Sequence, residues 1–104
     1  PGGHAGRDIH RILTVRETPR QDRPAERLRA QGSPALSVAE LVSVAIGCEI
    51  AVAHDLLARA GGSLRKLARR PVGTYRATPG IGPAKALALA AALELGRRLC
   101  AESP

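Results

Sequence analysis

Thr78-Pro79-Gly80-Ile81-Gly82-Pro83-Ala84-Lys85 is the stretch that decides the fold of this 104-residue chain. Gly80 and Gly82 have access to backbone angles that other residues avoid, and Ile81 between them can point inward as an anchor. Pro83 suits the first position of a helix, where the N–H group that proline lacks would have no partner inside the helix. The stretch therefore predicts a glycine hairpin that opens directly into a helix.

The start of this predicted helix is suited to holding a phosphate. Backbone amides there point outward near the positive end of the helix dipole, and the side chain of Lys85 adds a full charge. The pattern resembles the helix-hairpin-helix motif of DNA-binding proteins that lack sequence specificity. The DNA-binding residues that we predict are Gly80, Ile81, Gly82, Ala84, Lys85 and Arg76. The alternative is a tight turn whose glycines serve packing only, because connections between helices often contain glycine.

The composition predicts a single all-α domain. Hydrophobic residues make up 44% of the chain, are mainly Ala and Leu, and include no Phe, Trp or Met. This favours short, closely packed helices over a sandwich of β-branched and aromatic strands. No apolar stretch approaches the roughly 20 residues of a membrane span, and the first residues lack the apolar core of a signal peptide. We therefore expect a cytoplasmic protein without membrane contact.

Positive charge is concentrated in the half of the chain that carries the hairpin. The formal net charge is +7, of which residues 1–50 contribute +1 and residues 51–104 contribute +6. Such an excess is a plausible electrostatic footprint for a phosphate backbone. The alternative is a compositional preference for arginine on a solvated surface, since runs of charge usually face solvent.

Two regions can be distinguished along the chain. Residues 1–21 are expected to form a flexible tail and an N-terminal arm, with residues 9–15 as a short extended segment. Residues 22–104 are expected to form the helical domain, in which Asp22 is a candidate N-cap for a first helix ending at Gln31. Ser37 and Glu40 have the spacing of a capping box at the start of the second.

Four further helices are predicted. The first runs from residue 49 to 60, the second is short and is capped by Ser63, the third runs from residue 71 to about 77, and the fourth runs from residue 83 to about 100. On the last of these helices we expect an inward stripe that faces the core. Its residues are Leu89, Ala92, Leu93, Gly96 and Leu99. The turn at residues 46–49 resembles the one at residues 80–82, as in a duplicated unit. Two such units can bury each other's apolar faces, so we predict a tandem helix-hairpin-helix bundle of five to six short helices.

Four segments together resemble the N-terminal domain of RadC proteins. They are residues 23–28 (RPAERL), 32–41 (GSPALSVAEL), 79–85 (PGIGPAK) and 93–99 (LELGRRL). The resemblance implies a tandem helix-hairpin-helix fold, a role in DNA repair and, in longer members, a following zinc metalloprotease-like domain of the MPN/JAMM type. The turn at residues 46–49 departs from the family, which has a longer Arg-Thr-Gly-type loop there.

The resemblance also implies that main-chain carbonyls could hold a monovalent cation. The carbonyls would be those of Arg76, Thr78 and Ile81. From the sequence itself we assign no metal site and no cofactor.

No catalytic group is evident. His4, His10 and His54 lack the spacing of zinc ligands. Cys48 and Cys100 are expected to be thiols without a catalytic or metal-binding role. We therefore expect a chain that is not itself an enzyme and acts as a monomer on duplex or branched DNA. The alternative is a protein-interaction or regulatory module attached to the metalloprotease-like domain.

Overall fold

The computed structural model of the protein describes residues 23–102 and is all-helical in that range. The α-helices are α1 (Pro24–Gln31), α2 (Val38–Ile46), α3 (Ile50–Arg59), α4 (Leu64–Arg69) and α5 (Pro83–Ala101). Two 3-10 helices, Ser33–Ala35 and Val72–Ala77, lie between them. No strand occurs between residues 23 and 102, which confirms the all-α prediction. The predicted tail, arm and Asp22 cap lie outside the described residues.

The predicted capping box begins α2. The Ser37 hydroxyl accepts the Glu40 N–H at 3.2 Å, and the Glu40 carboxylate accepts the Ser37 N–H at 2.8 Å. The Ser37 amide lowers the pKa of Glu40, and the Arg27 guanidinium adds to this effect. Arg27 bonds the Glu40 carboxylate and donates to the Ala35 carbonyl at 2.7 Å. One carboxylate therefore caps α2 and ties α1 to it.

A tight turn joins α2 to α3. Gly47 has a φ of 73°, in the left-handed region where glycine is favoured. The Gly47 and Cys48 amides both donate to the Ser43 carbonyl, and the Ser43 hydroxyl donates to the Cys48 carbonyl at 2.6 Å. These bonds satisfy the buried polar groups of the turn and hold the two helices at an angle of 114°.

The core lies where α2, α3 and the first half of α5 meet. Its most deeply buried side chains include Leu56, Leu67 and Leu89, and Ala86 packs with them. The inward stripe predicted for α5 is correct only at its beginning. Leu89 is buried and Ala92 and Leu93 are partly buried, whereas Gly96 and Leu99 are exposed. The stripe was wrong beyond Leu93 because α5 extends past the helices that it packs against.

The helix predicted from residue 71 is a 3-10 helix over Val72–Ala77. The Thr74 N–H and hydroxyl both bond to the Pro71 carbonyl, at 2.9 and 2.7 Å. Val72, Gly73 and Thr74 have low intrinsic helix propensity, so this short segment does not gain a regular α-helical turn.

Within residues 23–102, no single helix has the length and apolar character needed to cross a membrane. In the described part of the chain, α2 and α3 taken together reach that threshold by length and composition.

Candidate nucleic-acid interface

The predicted hairpin begins with a β-turn over residues 78–81. The Ile81 N–H donates to the Thr78 carbonyl at 3.0 Å, and Gly80 has a φ of 96°. Proline followed by glycine with positive φ is the signature of a type II turn. The Ile81 side chain is 4% exposed, which confirms its predicted role as an inward anchor.

Gly82 differs from Gly80. Its φ is −90°, an extended conformation that any residue can adopt, and a β-carbon built on it would meet nothing within 4 Å. Glycine is present at both positions, but only Gly80 adopts a backbone conformation that favours glycine. Gly82 instead serves as the N-cap of α5 and leaves the space beside the helix start open.

The first turn of α5 presents free backbone donors. Pro83 occupies the first helical position as predicted, and the first hydrogen bond of the turn runs from the Ala86 N–H to the Gly82 carbonyl at 3.0 Å. Among residues 23–102, no acceptor bonds the N–H groups of Ala84 and Lys85. These donors lie at the positive end of a helix of 19 residues, where an anion is stabilised.

The hairpin is fixed against α3. A β-carbon on Gly80 would lie 2.9 Å from Cγ2 of Val52, so the hairpin backbone rests directly on that side chain. Thr78, at the start of the turn, is 1% exposed. The hairpin therefore has a rigid support, although its outer side is open to solvent at Gly82, Pro83 and Ala84.

The two glycine turns share an open cleft of about 760 Å³. Gly47, Cys48 and Glu49 line it from the first turn, and Gly80 and Lys85 line it from the second. Sequence reasoning missed the contribution of the first turn and of Val52. The likeness between the two turns is the signal that could have placed them side by side.

Lys85 faces the first turn from the start of α5. Burial raises the pKa of the Cys48 thiol, and the positive charge of Lys85 partly opposes this shift. The Cys48 thiol is free and buried, and the Cys100 thiol is free and exposed. Cys48 is therefore a small buried thiol and Cys100 an exposed one, and the two do not form a disulfide with each other.

Several cations near the hairpin in sequence have no carboxylate partner within the described part of the chain. They are Arg65, Lys66, Arg69, Arg76 and Lys85. By contrast, Arg97 and Arg98 on the last turns of α5 both bond Glu94, whose pKa falls to about 2 because of these hydrogen bonds. Arg76 is exposed on the second 3-10 helix. The predicted charges of the site are thus available to an external anion.

The carbonyls suggested for a monovalent cation are chemically suitable. The Thr78 carbonyl accepts one hydrogen bond, and the carbonyls of Arg76 and Ile81 accept none from residues 23–102. Each carbonyl oxygen has two lone pairs, so all three could contribute to a cation. No group of three or more His, Cys, Asp or Glu side chains in this range is placed to hold a metal ion.

Comparison with known proteins matches the chain to a described family. A family model for the UPF0758 N-terminal domain matches residues 15–87. No solved structure matches significantly.

Curated relatives extend the match over most of the chain. A UPF0758 protein of Xanthomonas euvesicatoria pv. vesicatoria is 43% identical over 92 residues, covering 83% of this chain and 40% of the relative. A UPF0758 protein of Syntrophomonas wolfei is 41% identical over 93 residues, covering 84% and 40%. The chain thus spans less than half the length of these relatives. The match confirms the predicted RadC-like resemblance, and the chain belongs to the UPF0758 family, in the region of its N-terminal domain.

Proposed function

We propose that this chain is a DNA-binding domain that contacts the phosphate backbone without sequence specificity. The observation that carries the proposal is the pair of free N–H groups at Ala84 and Lys85. They open the longest helix of the described chain, beside the Lys85 charge and an accessible space at Gly82. Backbone donors, a helix dipole and a cation together make an anion site.

Phosphate contact is favoured over the reading of bases. The only tyrosine of the chain is 3% exposed, and the chain has no Phe or Trp, so bases have no aromatic surface on which to stack. Base-specific readout uses side chains that form paired hydrogen bonds with base edges in the major groove. The described helices lack a face rich in Asn, Gln and Arg that could enter the groove. We propose accordingly that duplex and branched DNA bind through their backbones.

The two glycine turns support the proposal of a tandem helix-hairpin-helix arrangement. The turn at residues 46–49 and the turn at residues 78–82 lie on one cleft, with Gly80 resting on Val52 of α3. In this proposal the second turn contacts DNA, and the first supports it. A contribution to DNA repair, a cytoplasmic location and the lack of a catalytic role in this chain belong to the same proposal.

A second candidate function is a protein-interaction or regulatory module. Two observations favour it: the chain spans only 40% of its curated relatives, and α5 carries exposed leucines on its outer face. Its partner could be the remainder of a longer protein. This alternative predicts no binding to DNA.

Fluorescence anisotropy with labelled duplex and branched DNA at several salt concentrations tests the proposal. We expect affinity to fall with salt with a slope that corresponds to about 2–5 neutralised phosphates. Lys85→Gln should weaken binding and reduce that slope by about one. Arg97→Gln is the matched control, because Arg97 lies at the far end of α5 and bonds Glu94. Absence of binding at low salt would overturn the proposal in favour of the interaction module.

A further inference from the structure

The first glycine turn repeats the backbone of the second turn position by position. Gly47 and Gly80 both have a positive φ, 73° in the first turn and 96° in the second. The residue after each glycine is buried, since Cys48 is 6% exposed and Ile81 is 4% exposed. The two turns therefore share a left-handed glycine followed by an inward anchor.

The next position in both turns is the exposed N-cap of a helix. Glu49 caps α3 and Gly82 caps α5, and both have extended backbone angles. The first hydrogen bond of α3 runs from the Val52 N–H to the Glu49 carbonyl at 3.0 Å. Among residues 23–102, no acceptor bonds the N–H groups of Ile50 and Ala51. The start of α3 thus has the same kind of free donors as the start of α5.

The side chains of the two turns reverse the charge on this shared backbone. At the N-cap position, the first turn has the carboxylate of Glu49 and the second has the open space of Gly82. Three residues later, the second turn has the cation of Lys85, whereas the first has Val52, which supports Gly80. The Glu49 carboxylate forms no capping hydrogen bond with α3. It places a negative charge at the helix start, where the dipole would otherwise favour an external anion.

We propose that Glu49 keeps phosphate off the first turn and so limits contact with the DNA backbone to the second turn. This inference rests on the proposed DNA binding and assigns a specificity-determining residue to it. Glu49 and Lys85 line the same cleft, so a phosphate that enters it meets a carboxylate from one turn and an ammonium group from the other. Like charges repel and opposite charges attract, so the phosphate is directed to the start of α5.

The substitution Glu49→Gln removes the charge and nearly keeps the size of the side chain. We expect the affinity for duplex DNA, measured by fluorescence anisotropy, to rise about threefold to tenfold. The dependence of affinity on salt should steepen by up to about one phosphate, because the first turn can then also make contact. The melting temperature should fall by about 1–5 °C, because α3 loses a favourable charge at its N-terminus. A residue that only supports the fold would lower stability and affinity together.

Glu102→Gln is the matched control for net charge. Glu102 is exposed at the C-terminal end of α5, roughly 30 Å along the helix from Gly82 and well beyond the screening length of about 8 Å in physiological salt. We expect this variant to bind as the wild type does. An equal gain from Glu102→Gln would overturn the inference, since it would show an effect of net charge alone.

The wild-type chain separates this inference from the proposed function. If the wild type binds DNA and Glu49→Gln changes neither the affinity nor the salt dependence, the inference is overturned and the proposed function stands. If the wild type does not bind DNA at low salt, both are overturned.

A second background separates two ways in which Glu49 can act. The carboxylate can repel phosphate from its own turn, as we propose, or it can only weaken the attraction of Lys85. Glu49→Gln is therefore repeated in the Lys85→Gln chain, at a salt concentration low enough for that chain to bind. We expect the same fold gain in affinity as in the wild-type background, because the two turns then act separately. Loss of the gain in the Lys85→Gln background would overturn the role of Glu49 at the first turn.

Discussion

The backbone of Gly80 packs so closely on Val52 that a β-carbon at Gly80 would lie 2.9 Å from Cγ2 and 3.2 Å from Cγ1 of that side chain. Val52 belongs to α3, so this contact joins the hairpin to the first helix pair. Gly80 also has a φ of 96°, which strains any other residue. Both the space and the backbone angle therefore require glycine here.

Gly80→Ala should destabilise the protein by about 2–4 kcal/mol, the sum of a left-handed backbone angle and an overpacked contact. Gly82→Ala should cost only about 0.5–1 kcal/mol, because Gly82 has a negative φ and open space, and loses only the preference for glycine over alanine at an N-cap. Urea denaturation followed by circular dichroism measures both changes.

The substitution Val52→Ala isolates the part of the Gly80→Ala destabilisation that comes from the contact with Val52. Removing the Val52 methyl groups should relieve Gly80→Ala, so that the double variant is more stable than the sum of the single changes implies, by roughly 1 kcal/mol. Equal stability of Gly80→Ala and Gly82→Ala would show that the hairpin does not rest on α3.

Tyr75 gives the core a spectroscopic probe, because it is the one tyrosine of a chain without tryptophan. Its hydroxyl donates to the buried Leu67 carbonyl at 2.9 Å, and burial raises its pKa. A raised folded-state pKa means that the unfolded chain ionises first, near pH 10. Stability should therefore be full below about pH 10 and fall as the pH rises toward the folded pKa.

The absorbance of phenolate at 295 nm measures the ionisation of Tyr75. Denaturation at a series of pH values measures how the free energy of unfolding changes with pH. Tyr75→Phe should remove the alkaline loss of stability and cost about 1–2 kcal/mol at neutral pH, because the Leu67 carbonyl loses its donor. Ionisation of the native protein at the pH of free tyrosine would contradict the described burial.

The two serine caps should differ in what they contribute. Ser37→Ala removes one half of a capping box whose Glu40 also bonds Arg27, and should cost about 1–2 kcal/mol. Ser63→Ala removes a single bond to the Lys66 N–H at 3.1 Å at the start of the shorter α4, and should cost less. Thermal unfolding of the two variants compares them. A larger loss from Ser63→Ala would contradict the larger contribution given to the capping box at the start of α2.

Local signals predicted most of the fold. The caps at Ser37 and Ser63, the proline that opens α5 and the inward Ile81 depend on a few neighbouring residues, and all are confirmed. The stripe on α5 was wrong in its second half because a helix of Ala and Leu on every side gives no periodic signal for which face is buried.

Contacts between residues that are far apart in the sequence could not be predicted from it. The support of Gly80 by Val52 joins positions 28 residues apart, and no local pattern marks it. The sequence did not distinguish Gly80 from Gly82, because both fit the turn pattern. The two glycines differ in their backbone angles and in the space around them, and both depend on the folded structure. The sequence therefore indicated the candidate site residues, but it did not indicate the role of each one.

The measurement that tests the central claim most directly is the affinity of Gly82→Leu for duplex DNA. The β-carbon at Gly82 points into open space at the start of α5, so a leucine fits the fold but obstructs the approach of a phosphate to the Ala84 and Lys85 amides. We predict binding weaker by about tenfold or more, which corresponds to about 1.4 kcal/mol, with helicity retained and a loss of stability no larger than an N-cap change explains. Wild-type affinity in a folded Gly82→Leu protein would contradict the hairpin as the site of phosphate contact.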